Sequence, residues 1–281
     1  MRPAPKLGIF AFGLVSAFAV AAVAGASFGP IDVGASEDHA TMPSGTNEAS
    51  TMSGLTIASD GFQLVTNVSS VEANAPAIIT FRIERADGSS VVKFDLLNER
   101  RLHLIVLSRD LVDYFHLHPS MDQDGTWQVE LPPLRPNSYR VYADFQPNGA
   151  QRVTLATDLA VPGLMVLVDI PGPAQHVEVD DYTVSLAADQ VPGESALTFD
   201  VSLAGQSVAT DRYLGAAGHL VIIRVGDLGY LHAHAIDDAA QTVHFMAEFP
   251  TPGMYRLFLE FEHAGKVRIA SFTVEISHES A

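Results

Sequence analysis

A histidine followed after twelve residues by His-x-His occurs twice in this chain, and the second copy lies 116 residues beyond the first without insertion or deletion. His103, His116 and His118 form the first set, and His219, His232 and His234 the second. The correspondence extends past histidine. HLIVLSRDLVDYFHLH at 103–118 aligns with HLVIIRVGDLGYLHAH at 219–234, and YRVYADF at 139–145 with YRLFLEF at 255–261. A fixed period shared this widely requires two copies of one structural unit, so a fold for one half must serve both.

The length agrees: 281 residues accommodate two domains of about 100–150 residues each once a tail is set aside. Cysteine is absent, which excludes disulfides, thiolate zinc sites and iron–sulfur clusters. The formal net charge of −17 argues against nucleic acid or an anionic membrane surface as partner, since both are bound through clustered Lys and Arg. It is compatible with a cation.

Arg2 and Lys6 precede an uncharged apolar stretch from Leu7 to Ala26 with small residues at its end. Residues 1–26 therefore read as a signal peptide, or as an uncleaved membrane anchor, and either places the remainder in a secreted or extracytoplasmic location. Residues 27–54 are small and polar without hydrophobic period, the composition of a disordered tether. His39, Met42 and Met52 lie in it; imidazole with thioether suits copper, but an ordinary linker in which they fall by chance is the favoured reading.

From Leu55 onward short alternating apolar runs are separated by turn signals such as Ala86-Asp87-Gly88 and Pro147-Asn148-Gly149. This texture predicts an all-β chain of two tandem antiparallel β-sandwich domains, immunoglobulin-like or cupredoxin-like. The boundaries are 55–163 for the first repeat, 164–174 for a Pro/Gly-rich linker, 175–277 for the second repeat and 278–281 for a tail. Aromatic residues of the YRVYADF and YRLFLEF strands read as core packing. Asp144, Glu260, Arg140 and Arg256, matched between copies, read as surface ion pairs.

His103 opens one strand and His118 closes the next. In an antiparallel hairpin with its turn between, facing residues have numbers that sum to 221, which sets His103 opposite His118. Alternation along the strand puts His116 on the same face. The same register sets His219 opposite His234, with His232 beside them. Three neutral imidazoles at such a point suit copper or zinc, and a carboxylate from Asp122 or Asp238 is a candidate fourth ligand. The competing expectation is that the histidines only pack, in a structural or adhesive cell-envelope module. No repeated Glu or Ser stands as partner base or nucleophile, so no enzyme is expected.

RLHLIVLSRDLVDYFHLHP with YRVYADF, and YLGAAGHLVIIRVGDLGYLHAHA with YRLFLEF, resemble exported actinobacterial proteins with duplicated His-bearing β-sandwich domains, described as heavy-metal-associated secreted proteins. More distantly they are similar to YtkA-like and CopC-like sandwiches. The resemblance covers residues 55–276. It implies an exported protein that handles copper or another heavy metal, with a metal transporter or other envelope protein as partner. Where the first copy has His118-Pro119 the second has His234-Ala235.

Overall fold

The computed structural model describes residues 52–188, 192–237 and 242–277. The expected signal or anchor, most of the tether including His39 and Met42, Asp238 and the tail lie outside the described residues. The first repeat contains β1 (Ala58–Ser59), β2 (Phe62–Thr66), β3 (Ala77–Arg85), β4 (Phe94–Asp95) and β5 (Leu102–Ser108). It continues through β6 (Tyr114–Leu117), β7 (Ser120–Met121), β8 (Thr126–Leu131), β9 (Asn137–Pro147) and β10 (Val153–Val161). The second repeat contains β11 (His176–Val179), β12 (Tyr182–Ala188), β13 (Gly193–Leu203), β14 (Gln206–Ser207) and β15 (His219–Arg224). It ends with β16 (Tyr230–Asp237), β17 (Thr242–Phe249), β18 (Gly253–His263) and β19 (Lys266–Ile276).

Each repeat is an antiparallel β-sandwich, as the alternating texture predicts. In the first, the layer β1-β2-β3-β8-β7 faces the layer β10-β9-β5-β6 across a core that includes Phe81, Ile83, Trp127 and Phe145. Alternation does the sorting: in β3, Ile79, Phe81 and Ile83 are buried, while Ile78 just before them and Arg82 between the last two are exposed. In the second, β11-β12-β13-β17 and β15-β18-β19 are the two layers, and β16 belongs to both.

That difference traces to one residue. Pro119 has no N–H to donate, so the strand that begins at Tyr114 stops at Leu117 and pairing resumes on the opposite sheet at Ser120. Ala235 occupies the matching position in the second repeat, and β16 runs on unbroken from β15 to β17 with a bulge between Ala235 and Asp237.

The outer faces of the two β5-type sheets pack against each other. β5 is buried at every residue, Leu102 to Ser108, because its even positions enter the sandwich core and its odd positions enter a second core between the repeats. Ile105, Leu107, Tyr114 and Tyr142 meet Val221, Ile223, Tyr230 and Phe258 there. The Tyr114 ring stacks on Phe258 with centroids 4.3 Å apart. The contacts are reciprocal. Each hairpin turn carries a buried leucine in left-handed conformation, Leu111 (φ 61°) and Leu228 (φ 61°). The Leu111 carbonyl accepts from Arg256 Nε at 3.3 Å, and the Leu228 carbonyl from the Tyr142 hydroxyl at 2.7 Å.

Two expectations need correction. Asp144, Glu260 and Arg256 are not surface ion-pairing groups: they are 1%, 2% and 3% exposed, because the face of β9 and β18 that carries them is the inter-repeat face. Arg140 alone pairs outward, with Asp158 at 2.9 Å. The last residues of the expected tether are also placed. Ser53 exchanges backbone hydrogen bonds with Tyr230, and Gly54 N–H donates to the Thr154 carbonyl, so the segment is pinned to both repeats. Gly54 has φ 66°, and a Cβ there would come within 2.6 Å of the Tyr142 ring, so only glycine fits.

Candidate metal centre

The register of the first hairpin is the one the histidine spacing predicts. Leu104 faces Leu117, Ile105 faces His116 and Leu107 faces Tyr114, each pair summing to 221. His103, His116 and His118 therefore leave the same face, at the end of β5 and β6. One ring nitrogen from each lies within 4.8 Å of the others. Ring centroids are 5.0 Å apart for His103 and His116, 5.1 Å for His103 and His118, and 4.8 Å for His116 and His118. Two imidazoles bound to one tetrahedral ion at about 2.0–2.1 Å place their centroids roughly 5 Å apart, so the rings already stand at coordination spacing.

The hydrogen bonds of the far nitrogens fix which nitrogens face the centre. His103 Nε2 lies 2.8 Å from the Leu97 carbonyl, which can only accept, so Nε2 carries the proton and Nδ1 the lone pair. His116 Nδ1 lies 2.8 Å from Glu260 Oε1, so Nδ1 donates and Nε2 carries the lone pair. Glu260 is held in turn by the Tyr114 hydroxyl, which donates to the same oxygen at 2.7 Å. His103 Nδ1 and His116 Nε2 then face each other at 2.8 Å. Two lone pairs at that distance repel unless a cation, a proton or a metal ion, lies between them. His118 Nε2 is buried without any hydrogen-bond partner.

Burial, followed by the neighbouring His116, lowers His103 to about 4 and His118 to about 3. Both are neutral at pH 7, the form that binds metal. Burial alone would raise the Glu260 carboxyl, but His116 and the Tyr114 hydroxyl outweigh it and hold it below the usual range.

The second set is not brought together. Its hairpin keeps the predicted register, with Val221 facing His232 and Ile223 facing Tyr230. Beyond His232, however, β16 leaves β15 for β17, where His234 faces Met246, and the expected pairing of His219 with His234 is not made. His219 is buried and His234 exposed. His232 Nε2 meets Thr154 Oγ1 at 3.1 Å, and its buried Nδ1 has no hydrogen-bond partner. Asp144, the counterpart of Glu260, is engaged by Arg152 and accepts from Thr154 Oγ1 at 3.1 Å. Burial would raise Asp144, yet the Arg152 charge prevails and holds it at about 2. Among the described residues, the first set is the only group of its kind.

Asp122 is not carried to the cluster. It is exposed, and its Oδ1 accepts from the Asp124 and Thr126 amides in the turn between β7 and β8. Asp238 is outside the described residues. Sequence reasoning missed Glu260, Tyr114 and the Leu97 carbonyl. The signal for Glu260 was an acid matched between copies, with Asp144, on a strand that is buried on both faces.

The buried histidines make a stability prediction for the metal-free protein. His103, His118 and His232 fall from the ordinary 6.5 to about 4, about 3 and about 4, all chiefly through burial. An unfolded chain takes up protons at these rings near 6.5, while the folded protein refuses them until its lower values are reached. Stability is full above pH 6.5 and falls as the pH drops from 6.5 towards 4. Urea midpoints across that window check this; a midpoint constant from pH 7 to pH 4.5 would contradict it.

The family model of a domain of unknown function, DUF8832, matches residues 57–162 and again 177–278. No curated protein matches the sequence. Among solved structures, the Escherichia coli adhesin FdeC is similar at 14% identity, with 79% of this chain and 65% of that one covered and a TM-score of 0.25. The Yersinia pseudotuberculosis adhesin InvE gives 12% identity, coverage of 76% and 58%, and a TM-score of 0.23. The N-terminal Ig1-2 module of the Drosophila receptor protein tyrosine phosphatase DLAR gives 7% identity, coverage of 78% and 99%, and a TM-score of 0.22. The chain spans less than two thirds of each adhesin structure.

Proposed function

The chain belongs to the DUF8832 family in both of its repeats, and from that premise and the site geometry we propose that it is an exported binding protein for one transition-metal ion. His103 Nδ1, His116 Nε2 and His118 Nε2 are the ligands, and buffering or delivery of the ion outside the membrane is the role. The carrying observation is the convergence of three ring nitrogens, with the opposite nitrogens of His103 and His116 already tied to acceptors. Metal-binding histidines characteristically donate their other N–H to a carboxylate or backbone carbonyl, and His116 and His103 show one of each.

Copper and zinc both fit an imidazole set without thiolate. The resemblance to heavy-metal-associated exported proteins favours copper, and the apolar stretch from Leu7 to Ala26 supports export. A metal transporter or other envelope protein is the partner this role implies. Among the described residues, the second repeat forms no three-ligand group of its own.

The full chain, loaded with Cu(II) or Zn(II) and dialysed, is expected to retain a single equivalent. His103→Ala is expected to retain none, while His234→Ala behaves as the parent. A parent protein that keeps no metal would leave the histidines as packing residues and sink the reading.

A further inference from the structure

His219 comes from the second repeat, yet it stands beside the cluster of the first. Its ring centroid is 6.5 Å from that of His103 and 6.5 Å from that of His116. These equal separations exceed the 4.8–5.1 Å within the cluster by 1.4–1.7 Å. All three rings line one cavity of about 280 Å³ between the repeats.

The orientation of His219 is set by the same device that sets His103. Its Nε2 lies 2.8 Å from the Tyr213 carbonyl, six residues before it, as His103 Nε2 lies 2.8 Å from Leu97, also six before. A carbonyl only accepts, so His219 Nε2 carries the proton and Nδ1 the lone pair. That lone pair has one polar neighbour, Asn98 Nδ2 at 3.4 Å, a long contact on a flexible side chain. Of the carboxylates in question, Asp122 is held in its own turn, Asp144 is engaged by Arg152, and Glu260, which faces His219 across the strand pair, is held through Oε1 by His116 and Tyr114.

We propose that His219 is the fourth ligand, closing across the repeat interface a four-imidazole site whose other members are His103, His116 and His118. The inference rests on the three-histidine reading and goes beyond it. A shift of about 1.4–1.7 Å at His219 towards His103 and His116, with Asn98 released, brings its ring to the spacing from those two that the cluster holds internally. The ion then clasps the two sandwiches. It has no open position for a substrate or water, which is the arrangement of a holding site rather than a reactive one. It also explains why the second repeat keeps His219 although its own hairpin forms no cluster.

Cobalt(II) serves as the probe because its visible spectrum reports coordination. The full chain is expected to bind one equivalent with a tetrahedral spectrum that azide does not alter. His219→Ala is expected to bind one equivalent at least about tenfold more weakly, a loss that outer-sphere partners alone can cause, and with a spectrum that azide now shifts. His234→Ala should match the parent. A parent spectrum that azide shifts would overturn the fourth-ligand proposal while leaving the three-histidine site intact, and this arm needs no variant to fold. Unchanged affinity in His219→Ala would overturn it as well. If the parent binds no cobalt, both proposals fall together.

Discussion

Phe258→Ala is expected to lower the unfolding free energy by about 3–5 kcal/mol, the cost of truncating a fully buried aromatic side chain. Phe258 is fully buried, stacks on Tyr114 and has the Arg256 guanidinium 5.3 Å from its ring centroid. It lies in the core between the repeats and not within either sandwich. Its loss therefore weakens the docking of two units that each keep their own core. Urea unfolding of the parent should give one transition, and the variant should show a lower midpoint with the transition broadened or split. A change below about 1 kcal/mol, the size of a minor surface substitution, would mean that the repeats do not support each other. Metal affinity is expected to fall with stability, because the same interface brings Glu260 to His116.

The sandwich and the hairpins were legible because both obey period two. Alternation identified the strands, and arithmetic on His103, His116 and His118 yielded the register that β5 and β6 adopt. The same arithmetic was right for β15 and β16 as far as His232 and failed at His234. Register is a property of a hairpin, whereas the fate of its last residue depends on whether the strand stops or continues. Pro119 against Ala235 carried that information, and its effect is plain only once two sheets compete for one strand. The inter-repeat face was legible in principle. LHLIVLS and HLVIIR are continuous apolar runs, and such runs mark strands covered on both faces. Reading them so would have buried Asp144 and Glu260 and asked what charged groups do there. Which sheet covers the second face is set by tertiary packing, and no local pattern in the sequence encodes it.

Glu260→Gln is expected to weaken metal binding by about 10–100-fold, the usual effect of removing a carboxylate behind a ligating histidine. Glutamine has the same length, so its oxygen can still accept from His116 Nδ1 and from the Tyr114 hydroxyl, and the fold should be little changed. What disappears is the negative charge that makes His116 a stronger donor to the ion. Glu260→Ala goes further, leaving the Tyr114 hydroxyl and the His116 N–H buried and unpaired at about 1–3 kcal/mol each. Isothermal titration with zinc, together with urea unfolding, separates the two effects: Gln should move affinity alone, Ala both. Equal affinity in Gln and parent would show that the carboxylate only fills space. The second repeat supplies a natural contrast. Asp144 occupies the matching place but is one methylene shorter, and Arg152 and Thr154 take its oxygens. His232 is thus left with an unpartnered nitrogen where His116 has a carboxylate. One methylene and one arginine separate the carboxylate that holds His116 from its counterpart, while the course of β16 past Ala235 carries His234 away.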